Sequence, residues 1–340
     1  MTNAHTHTAF DPLLSAADAE AMVRLCERFG SYKMYSEEST FEGIGKGLPA
    51  RWDAARNFVR TGGRFACAEP PNVLASRTNY FRDTYAYGDE VRIAGIEPFL
   101  RHEGFVAAAR RLYDRPIIVP AIVYANLLVP GQELAVHTDV PEFRGVSRVR
   151  HPQWLLVVMR HSGLFEDWRM PIATAVSWFH DCAGGEFAFY PDGPDAPPVA
   201  HPVRFNTAIL LDTDTIFHGV DRVQETAEAV DRLKPGMRLR FAGGDTWCVE
   251  VAEGTIVTRY RWRDLRFSVS WKAYCFRDEA ERRAWQTRAD DLRVDDIVDR
   301  LVDDLRARGR IAGERPGDLT LVDLLIDEYV RFPAPAAMRA

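Results

Sequence analysis

The stretch "IIVPAIVYANLLVPGQELAVHTD", residues 117–139, carries the pattern that decides the fold. Its first half is rich in β-branched and aromatic residues, which favour strands, and a Pro-Gly turn separates it from a second strand-like segment. Further strand-like segments, with Gly, Pro and Asp between them, cover 172–182, 185–191, 207–220 and 266–276. Several short strands separated by turns predict a sandwich or barrel, and not a parallel α/β sheet.

The residues around this strand-rich part favour helices. We predict helices over five segments, some of them from apolar residues at helical spacing. They are 15–29, 93–113, 151–168, 294–305 and 319–330. We expect residues 1–10 to be a frayed terminus. Residues 76–83, "SRTNYFRD", mix Arg, Asn and Tyr, and they could supply substrate contacts, but we interpret them as a solvated loop.

Composition argues against several classes of protein. The chain has 340 residues, of which 46% are hydrophobic, and can bury a full core. Its net charge of −6 argues against nucleic acid or an anionic membrane as a partner, since both call for a basic surface. Five widely spaced cysteines form no Cys-x-x-Cys pair, so we expect a reducing compartment, the cytoplasm. Neither a signal-peptide pattern nor a long apolar run is found, so no membrane span is expected.

The histidine and aspartate of "AVHTD" are spaced for metal binding. In a strand, residues i and i+2 point to the same side, so His137 and Asp139 share one face. One imidazole and one carboxylate are two of the three ligands of a 2-His-1-carboxylate site, which binds Fe(II) and leaves coordination positions open. The later histidines that could supply the third ligand are His151, His161, His180, His201 and His218. We favour His218, because it ends an apolar strand.

Four segments, in this order, resemble the Fe(II)/2-oxoglutarate-dependent oxygenases, nearest to their prolyl-hydroxylase-like branch. "LLVPGQELAVHTD" (127–139) resembles the Pro-Gly turn that leads into the family's His-x-Asp, and "AVSWFHDCAGGEFAFYPDG" (175–193) resembles its strand ending in Gly-Gly-Glu. "FHGVDRV" (217–223) resembles the segment of the distal histidine, and "RFSVSW" (266–271) resembles the last core strand. The resemblance extends over about 120–277, which is nearly half of the chain.

The resemblance implies roles for individual residues. His137, Asp139 and His218 are expected to bind Fe(II), and Arg266 is expected to pair with the distal carboxylate of 2-oxoglutarate. Arginine suits that role because it is permanently charged and its planar fork matches a carboxylate. Ser268 points to the same side of the strand as Arg266 and could donate to the same carboxylate.

Two departures from the family pattern leave alternatives open. The basic residue usually follows the distal histidine closely, whereas Arg266 follows His218 by 48 residues. Arg222, which lies nearer to His218, is therefore a second candidate for binding 2-oxoglutarate. The family also often has Tyr where this chain has Leu128, and the missing hydrogen bond could come from Tyr124 or Asn126 on the preceding strand.

The resemblance implies an α+β fold with a double-stranded β-helix core, a jelly-roll or cupin-like barrel, flanked by N- and C-terminal helices. We expect a mostly helical region with loops over 1–116 and the catalytic core over 117–277. Insertions are expected at about 144–170 and 224–264, the second containing an extra hairpin. A helical extension follows over 278–340.

The implied activity is that of an oxidoreductase. A dioxygenase would use Fe(II), 2-oxoglutarate and O2 to oxidise, by hydroxylation first of all, an unactivated C–H bond, and would release succinate and CO2. We expect a small-molecule substrate, such as an amino acid or a natural-product intermediate. The alternatives are a desaturase or ring-forming oxidase on the same iron site, and a non-catalytic cupin-like binding protein. The C-terminal helices could cap the barrel or form a homodimer interface.

Overall fold

The computed structural model describes residues 6–35, 44–224, 230, 232–251 and 254–336. Its helices are α1 (Ala16–Phe29), α2 (Trp52–Thr61), α3 (Pro71–Arg77), α4 (Glu97–Leu100), α5 (Glu103–Tyr113), α6 (Gln153–Ser162), α7 (Glu279–Thr287), α8 (Val294–Ala307) and α9 (Asp318–Tyr329). Its strands are β1 (His7–Phe10), β2 (Ser31–Tyr35), β3 (Tyr80–Tyr87), β4 (Glu90–Val91), β5 (Ile117–Leu128), β6 (Leu134–His137), β7 (Glu142–Phe143), β8 (Arg169–Met170), β9 (Ile172–Trp178), β10 (Phe187–Phe189), β11 (Val199–His201), β12 (Thr207–Leu211), β13 (His218–Val220), β14 (Arg238–Gly243), β15 (Thr246–Glu250), β16 (Ile256–Arg261) and β17 (Arg266–Phe276).

The strands form two large antiparallel sheets, and β7 and β8 pair separately with each other. The larger sheet has the order β1-β12-β9-β17-β5-β3-β2-β14-β15-β16, with β4 beside β3, and the smaller has the order β11-β10-β13-β6. From β5 to β13 the chain passes repeatedly from one sheet to the other, with β5, β9 and β12 in the large sheet and β6, β10 and β13 in the small one. This alternation is that of a jelly roll. The predicted α+β fold with a double-stranded β-helix core is confirmed.

The N-terminal region contributes strands that the sequence did not suggest. Residues 7–10, expected to be frayed, form the edge strand β1, in which His7 pairs with Leu211 and Phe10 with Ala208 of β12. The interpretation of 76–83 as a solvated loop is also wrong, because its second half begins β3, which pairs with β5. Both strands lie where the sheet would otherwise expose an unpaired edge, so pairing satisfies their backbone groups.

The segment between β13 and β17 extends the large sheet. In it β14 pairs with both β15 and β2, and β15 pairs with β16, so the sheet continues beyond β3. Trp247 of β15 is fully buried and packs against Tyr32, Phe241 and Trp262. The segment is therefore part of the main hydrophobic core.

The C-terminal helices pack in a second hydrophobic cluster that also contains Val136 of β6. Apolar residues of α8 and α9 are buried in one cluster with α6, whose residues from Trp154 to Met159 are all buried. The apolar faces predicted for these helices are thus used within the chain. Among the described residues, no helix combines the length and the apolar character needed to cross a bilayer.

Candidate metal centre

Two neighbouring strands of the small sheet bring three polar side chains together. His137 ends β6 and His218 begins β13, and these two residues are paired in the antiparallel register of the strands. Asp139 follows β6 by two residues, and its backbone N–H donates to the carbonyl of Thr213 at 2.8 Å. The predicted ligands, which are far apart in sequence, thus meet at one end of the small sheet.

The geometry of these three side chains suits a metal ion. Nε2 of His137 and Nε2 of His218 lie 3.8 and 3.9 Å from Oδ1 of Asp139. One ligand atom from each residue can be chosen so that all lie within 4.8 Å of one another. Nitrogen and oxygen ligands bind divalent transition metals at about 2 Å, so three atoms at this spacing can surround one ion.

Backbone carbonyls orient both imidazoles. Nδ1 of His137 lies 2.7 Å from the carbonyl oxygen of Ala135, and Nδ1 of His218 lies 2.9 Å from that of Ile216. Because a carbonyl can only accept, each Nδ1 carries the proton, and each Nε2 presents its lone pair towards Asp139. Burial lowers the pKa of His218 to about 3, so this imidazole is neutral, as a metal ligand must be.

A buried lysine holds the carboxylate. Nζ of Lys272 donates to Oδ2 of Asp139 at 2.7 Å and to Oγ1 of Thr174 at 3.0 Å. Burial alone would raise the pKa of Asp139, but the ammonium group of Lys272 holds it well below its usual range. The lysine engages one carboxylate oxygen, which leaves Oδ1 to face the histidines.

Arg266 lies in the same cavity as the three candidate ligands. The cavity has a volume of about 70 Å³ and runs between the two sheets. Arg266 is 2% exposed, donates from Nε to the carbonyl of Gly185 at 2.6 Å, and donates from Nη1 to Oγ of Ser268 at 3.0 Å. Its Nη2 is buried and finds no hydrogen-bond partner among the described residues. Burial lowers the pKa of Arg266 to about 10, so it remains a cation at neutral pH.

The other predicted cavity residues lie on β5 beside Arg266. Tyr124 and Asn126 both line the cavity, and Oδ1 of Asn126 is buried without a hydrogen-bond partner in the described chain. Arg222, the alternative to Arg266, is not part of the lining. Its guanidinium instead lies 3.2 Å from the carboxylates of Glu69 and Glu133.

Two cationic residues of the site were missed in the sequence. Lys272 continues the polar face of β17 that begins with Arg266, Ser268 and Ser270, so the same alternation could have identified it. Arg82 lies on β3 and lines the cavity with the candidate ligands. It belongs to the segment 76–83, whose mixture of Arg, Asn and Tyr is compatible with substrate contacts but is interpreted above as a solvated loop.

A second, more apolar cavity opens beside His137. It has a volume of about 220 Å³ and is lined by residues of α2, α3, β2 and β6, among them Phe58 and Val59. Tyr80, Leu134 and His137 line both cavities. A molecule held in the apolar cavity would therefore lie next to the candidate metal ligands.

The other four histidines considered as ligands, His151, His161, His180 and His201, are not in this cluster. His161 stacks on Phe217, His180 on Trp262 and His201 on Trp178. Within the described ranges, His137, Asp139 and His218 are the one cluster of His, Cys, Asp or Glu with metal-binding spacing.

Comparisons with known proteins find similarity in structure alone. No protein-family model and no curated protein matches the chain. The chain is similar to an oxidoreductase of the 2OG-Fe(II) oxygenase family from Burkholderia pseudomallei, at 12% identity and a TM-score of 0.31, over 58% of this chain and 66% of that one. It thus spans slightly under two thirds of that protein.

Two further structures cover more of the chain. A prolyl-4-hydroxylase from Pseudomonas putida aligns at 11% identity and a TM-score of 0.39, over 80% of this chain and 94% of that one. HygX from Streptomyces hygroscopicus, solved with nickel, 2-oxoglutarate and hygromycin B, aligns at 9% identity and a TM-score of 0.39, over 80% and 84% of the two chains.

Proposed function

We propose that this protein is an Fe(II)/2-oxoglutarate-dependent oxygenase that hydroxylates a C–H bond of a small molecule. The observation that carries the proposal is the shared cavity. In it a 2-His-1-carboxylate group, with both Nε2 atoms turned towards one carboxylate oxygen, lies near a buried arginine that has no acidic partner in the described chain. The first feature suits a metal with open coordination positions, and the second suits an anionic co-substrate.

Each residue has a separate part in this proposal. His137, Asp139 and His218 would hold Fe(II), and Lys272 would keep Asp139 in place. Arg266, with Ser268 beside it, would bind the distal carboxylate of 2-oxoglutarate, while Tyr124 and Asn126 offer further polar groups. Iron and 2-oxoglutarate together supply the oxidising chemistry, and the protein positions the reactants and excludes water.

The substrate cavity supports a small molecule over a protein chain. The apolar cavity of about 220 Å³ lies between α2, α3 and the small sheet, next to His137. It can take an apolar group of modest size, and its position would place a substrate carbon close to the metal. The burial of Arg266 in the site also counts against a non-catalytic barrel, in which this charge would lack a ligand.

The five cysteines favour a reducing compartment, and we place the protein in the cytoplasm. All five, of which Cys26, Cys248 and Cys275 are buried, are unpaired. Secreted proteins of similar size more commonly use such residues in disulfides.

An anaerobic titration tests the proposed function. Protein loaded with Fe(II) is titrated with 2-oxoglutarate, and the visible charge-transfer band of a chelated keto acid is recorded. We expect the band in the wild type and its loss in His137→Ala, while the control His180→Ala keeps it. Absence of the band in correctly folded, iron-loaded wild type at saturating 2-oxoglutarate would contradict the proposal.

A second titration distinguishes the two arginine candidates. Arg266→Met should raise the Kd for 2-oxoglutarate at least about tenfold, because a charge-assisted bidentate pair is lost. Arg222→Met should leave this Kd nearly unchanged, as should Arg263→Met, whose side chain is 72% exposed. The reverse ranking would assign the co-substrate to Arg222.

A further inference from the structure

We propose that Arg82 binds a carboxylate of the primary substrate, so that the enzyme acts on a small carboxylic acid with an apolar body. This inference rests on the proposed function, because it takes Arg266 and the metal to be occupied by 2-oxoglutarate. It adds a second anion site to the cavity, on a strand outside the double-stranded β-helix core.

The position of Arg82 follows from the register of three strands. Arg82 of β3 is paired with Asn126 of β5, which is paired with Ser268 of β17. All three side chains line the cavity that contains His137, Asp139 and His218. In the large sheet β3 and β9 flank the pair of β5 and β17 on either side. Arg82 therefore approaches the candidate metal site from the strand opposite to β9.

The surroundings of Arg82 hold it in place without neutralising it. Its guanidinium lies 3.7 Å from the ring centroid of Tyr124 and 5.1 Å from that of Tyr35, and it donates a hydrogen bond to the hydroxyl of Tyr80. Stacking on aromatic faces orients a guanidinium without using its N–H donors, and one hydrogen bond to Tyr80 leaves further donors for a ligand. Among the described residues no carboxylate is paired with it.

Most other buried or half-buried arginines of the described chain are paired with acids. Arg77 is paired with Glu69, Arg144 with Asp290, and Arg169 with Asp212. Arg82 and Arg266 depart from this pattern, and both line the same cavity. An arginine kept without an acid in a buried site is suited to an anionic ligand, since burial of an unpaired charge is otherwise costly.

One 2-oxoglutarate cannot account for every cation of the site. Its distal carboxylate would pair with Arg266 and its keto-acid end would meet the metal. Lys272 is already paired with Asp139 at 2.7 Å. Arg82 then remains as a cation that no described acid and no group of the co-substrate balances, and a carboxylate on the substrate supplies the missing negative charge.

The neighbouring cavity indicates that the rest of the substrate is apolar. Tyr35 and Tyr80, which contact Arg82, also line the apolar cavity of about 220 Å³ together with Phe58 and Val59. A substrate with its carboxylate at Arg82 can therefore extend its apolar part past Tyr80 into that cavity. Such a molecule passes His137, which lines both spaces.

Matched pairs of ligands test the inference. Protein loaded with Ni(II) and 2-oxoglutarate, which does not turn over, is titrated by calorimetry with 4-phenylbutanoate, octanoate and N-acetyl-L-leucine, and with the primary amide of each. We expect at least one carboxylate to bind the wild type about tenfold or more tightly than its amide, as loss of one charge-assisted pair predicts. Arg82→Gln should abolish this preference, and Arg82→Lys should retain part of it.

The controls separate this inference from the proposed function. Arg82→Gln should leave the Kd for 2-oxoglutarate within about threefold of wild type, whereas Arg266→Met should weaken it strongly. The inference is overturned if amides bind as well as the acids, if no carboxylate binds, or if Arg82→Gln weakens 2-oxoglutarate binding as Arg266→Met does. If the Ni(II)-loaded wild type does not bind 2-oxoglutarate at all, the proposed function itself has failed.

Discussion

Among single residues, Gly185 explains how Arg266 reaches its place. Its φ is +70°, a left-handed conformation that other residues rarely adopt, and an added Cβ would lie 2.7 Å from Cδ of Arg266 and 3.0 Å from Cγ2 of Val223. Its carbonyl also accepts the hydrogen bond from Nε of Arg266. The second glycine of "AGGE" is therefore required for backbone conformation, for space and for orientation of the arginine.

Gly185→Ala should weaken 2-oxoglutarate binding without removing the metal site. The new methyl group pushes Arg266 from its position, so we expect the Kd for 2-oxoglutarate to rise about tenfold or more while Ni(II) affinity changes little. Calorimetric titration measures both. Gly193→Ala is the matched control, because Gly193 also has a positive φ, of +93°, but open space around its Cβ. Equal effects of the two substitutions would show that strain alone is responsible.

His161 should make the protein less stable in acid. Burial lowers its pKa to about 4, from about 6.5 in the unfolded chain. Between these values the unfolded chain binds a proton that the folded one does not, so the free energy of unfolding falls as the pH drops through this window. At pH 5 the loss is about 1–2 kcal/mol.

Urea unfolding of His161→Phe at pH 7.5 and pH 5 tests this expectation. Phenylalanine preserves the stack on Phe217, which has a centroid distance of 5.3 Å, and removes the titration. The variant should lose about 1–2 kcal/mol less than the wild type on acidification. An unchanged pH dependence in His161→Phe would contradict the expectation.

At the level of elements, the strands that a sequence reveals are those with one continuous hydrophobic pattern. β5 and β17 are long, and their apolar residues face the main core, so both were predicted from composition and alternation. β3 is not predicted as a strand, because its inward side chains Tyr80 and Arg82 line a polar cavity and interrupt the hydrophobic pattern. β1 has too few residues to show a period, and its pairing with β12 depends on tertiary contact.

Trp247 tests whether the segment between β13 and β17 belongs to the core. Trp247→Ala should lower the free energy of unfolding by about 3–5 kcal/mol, because a fully buried indole is removed from three aromatic neighbours. Trp247→Phe keeps an aromatic ring there and should cost less. Urea denaturation gives both values, and a loss below about 1 kcal/mol for the alanine variant would mean that β14–β16 is only loosely attached.

For the whole molecule, the site exists only when the two sheets are assembled. The His-x-Asp pair predicted two ligands from local spacing, but His218 and Arg266 were assigned from the order of family-like segments. Distances between them could not come from the sequence, because the small sheet joins β6 to β13 and the large sheet joins β17 to β5. Lys272 and Arg82 enter the site through the same long-range pairing.

This dependence on assembly predicts that ligands stabilise the fold. A ligand that binds only the folded state adds RT ln(1 + [L]/Kd), or about 2.7 kcal/mol at one hundred times Kd. The midpoint temperature of thermal unfolding should therefore rise when Ni(II) is added and rise further when 2-oxoglutarate is added. It should return to its starting value when a chelator removes the metal. In His137→Ala, Ni(II) should no longer raise the midpoint temperature. In Arg266→Met, Ni(II) should still raise it, but 2-oxoglutarate should add little. If 2-oxoglutarate stabilises Arg266→Met as much as the wild type, the co-substrate does not bind at Arg266 in the cavity between the two sheets, and the assignment of the cavity is wrong.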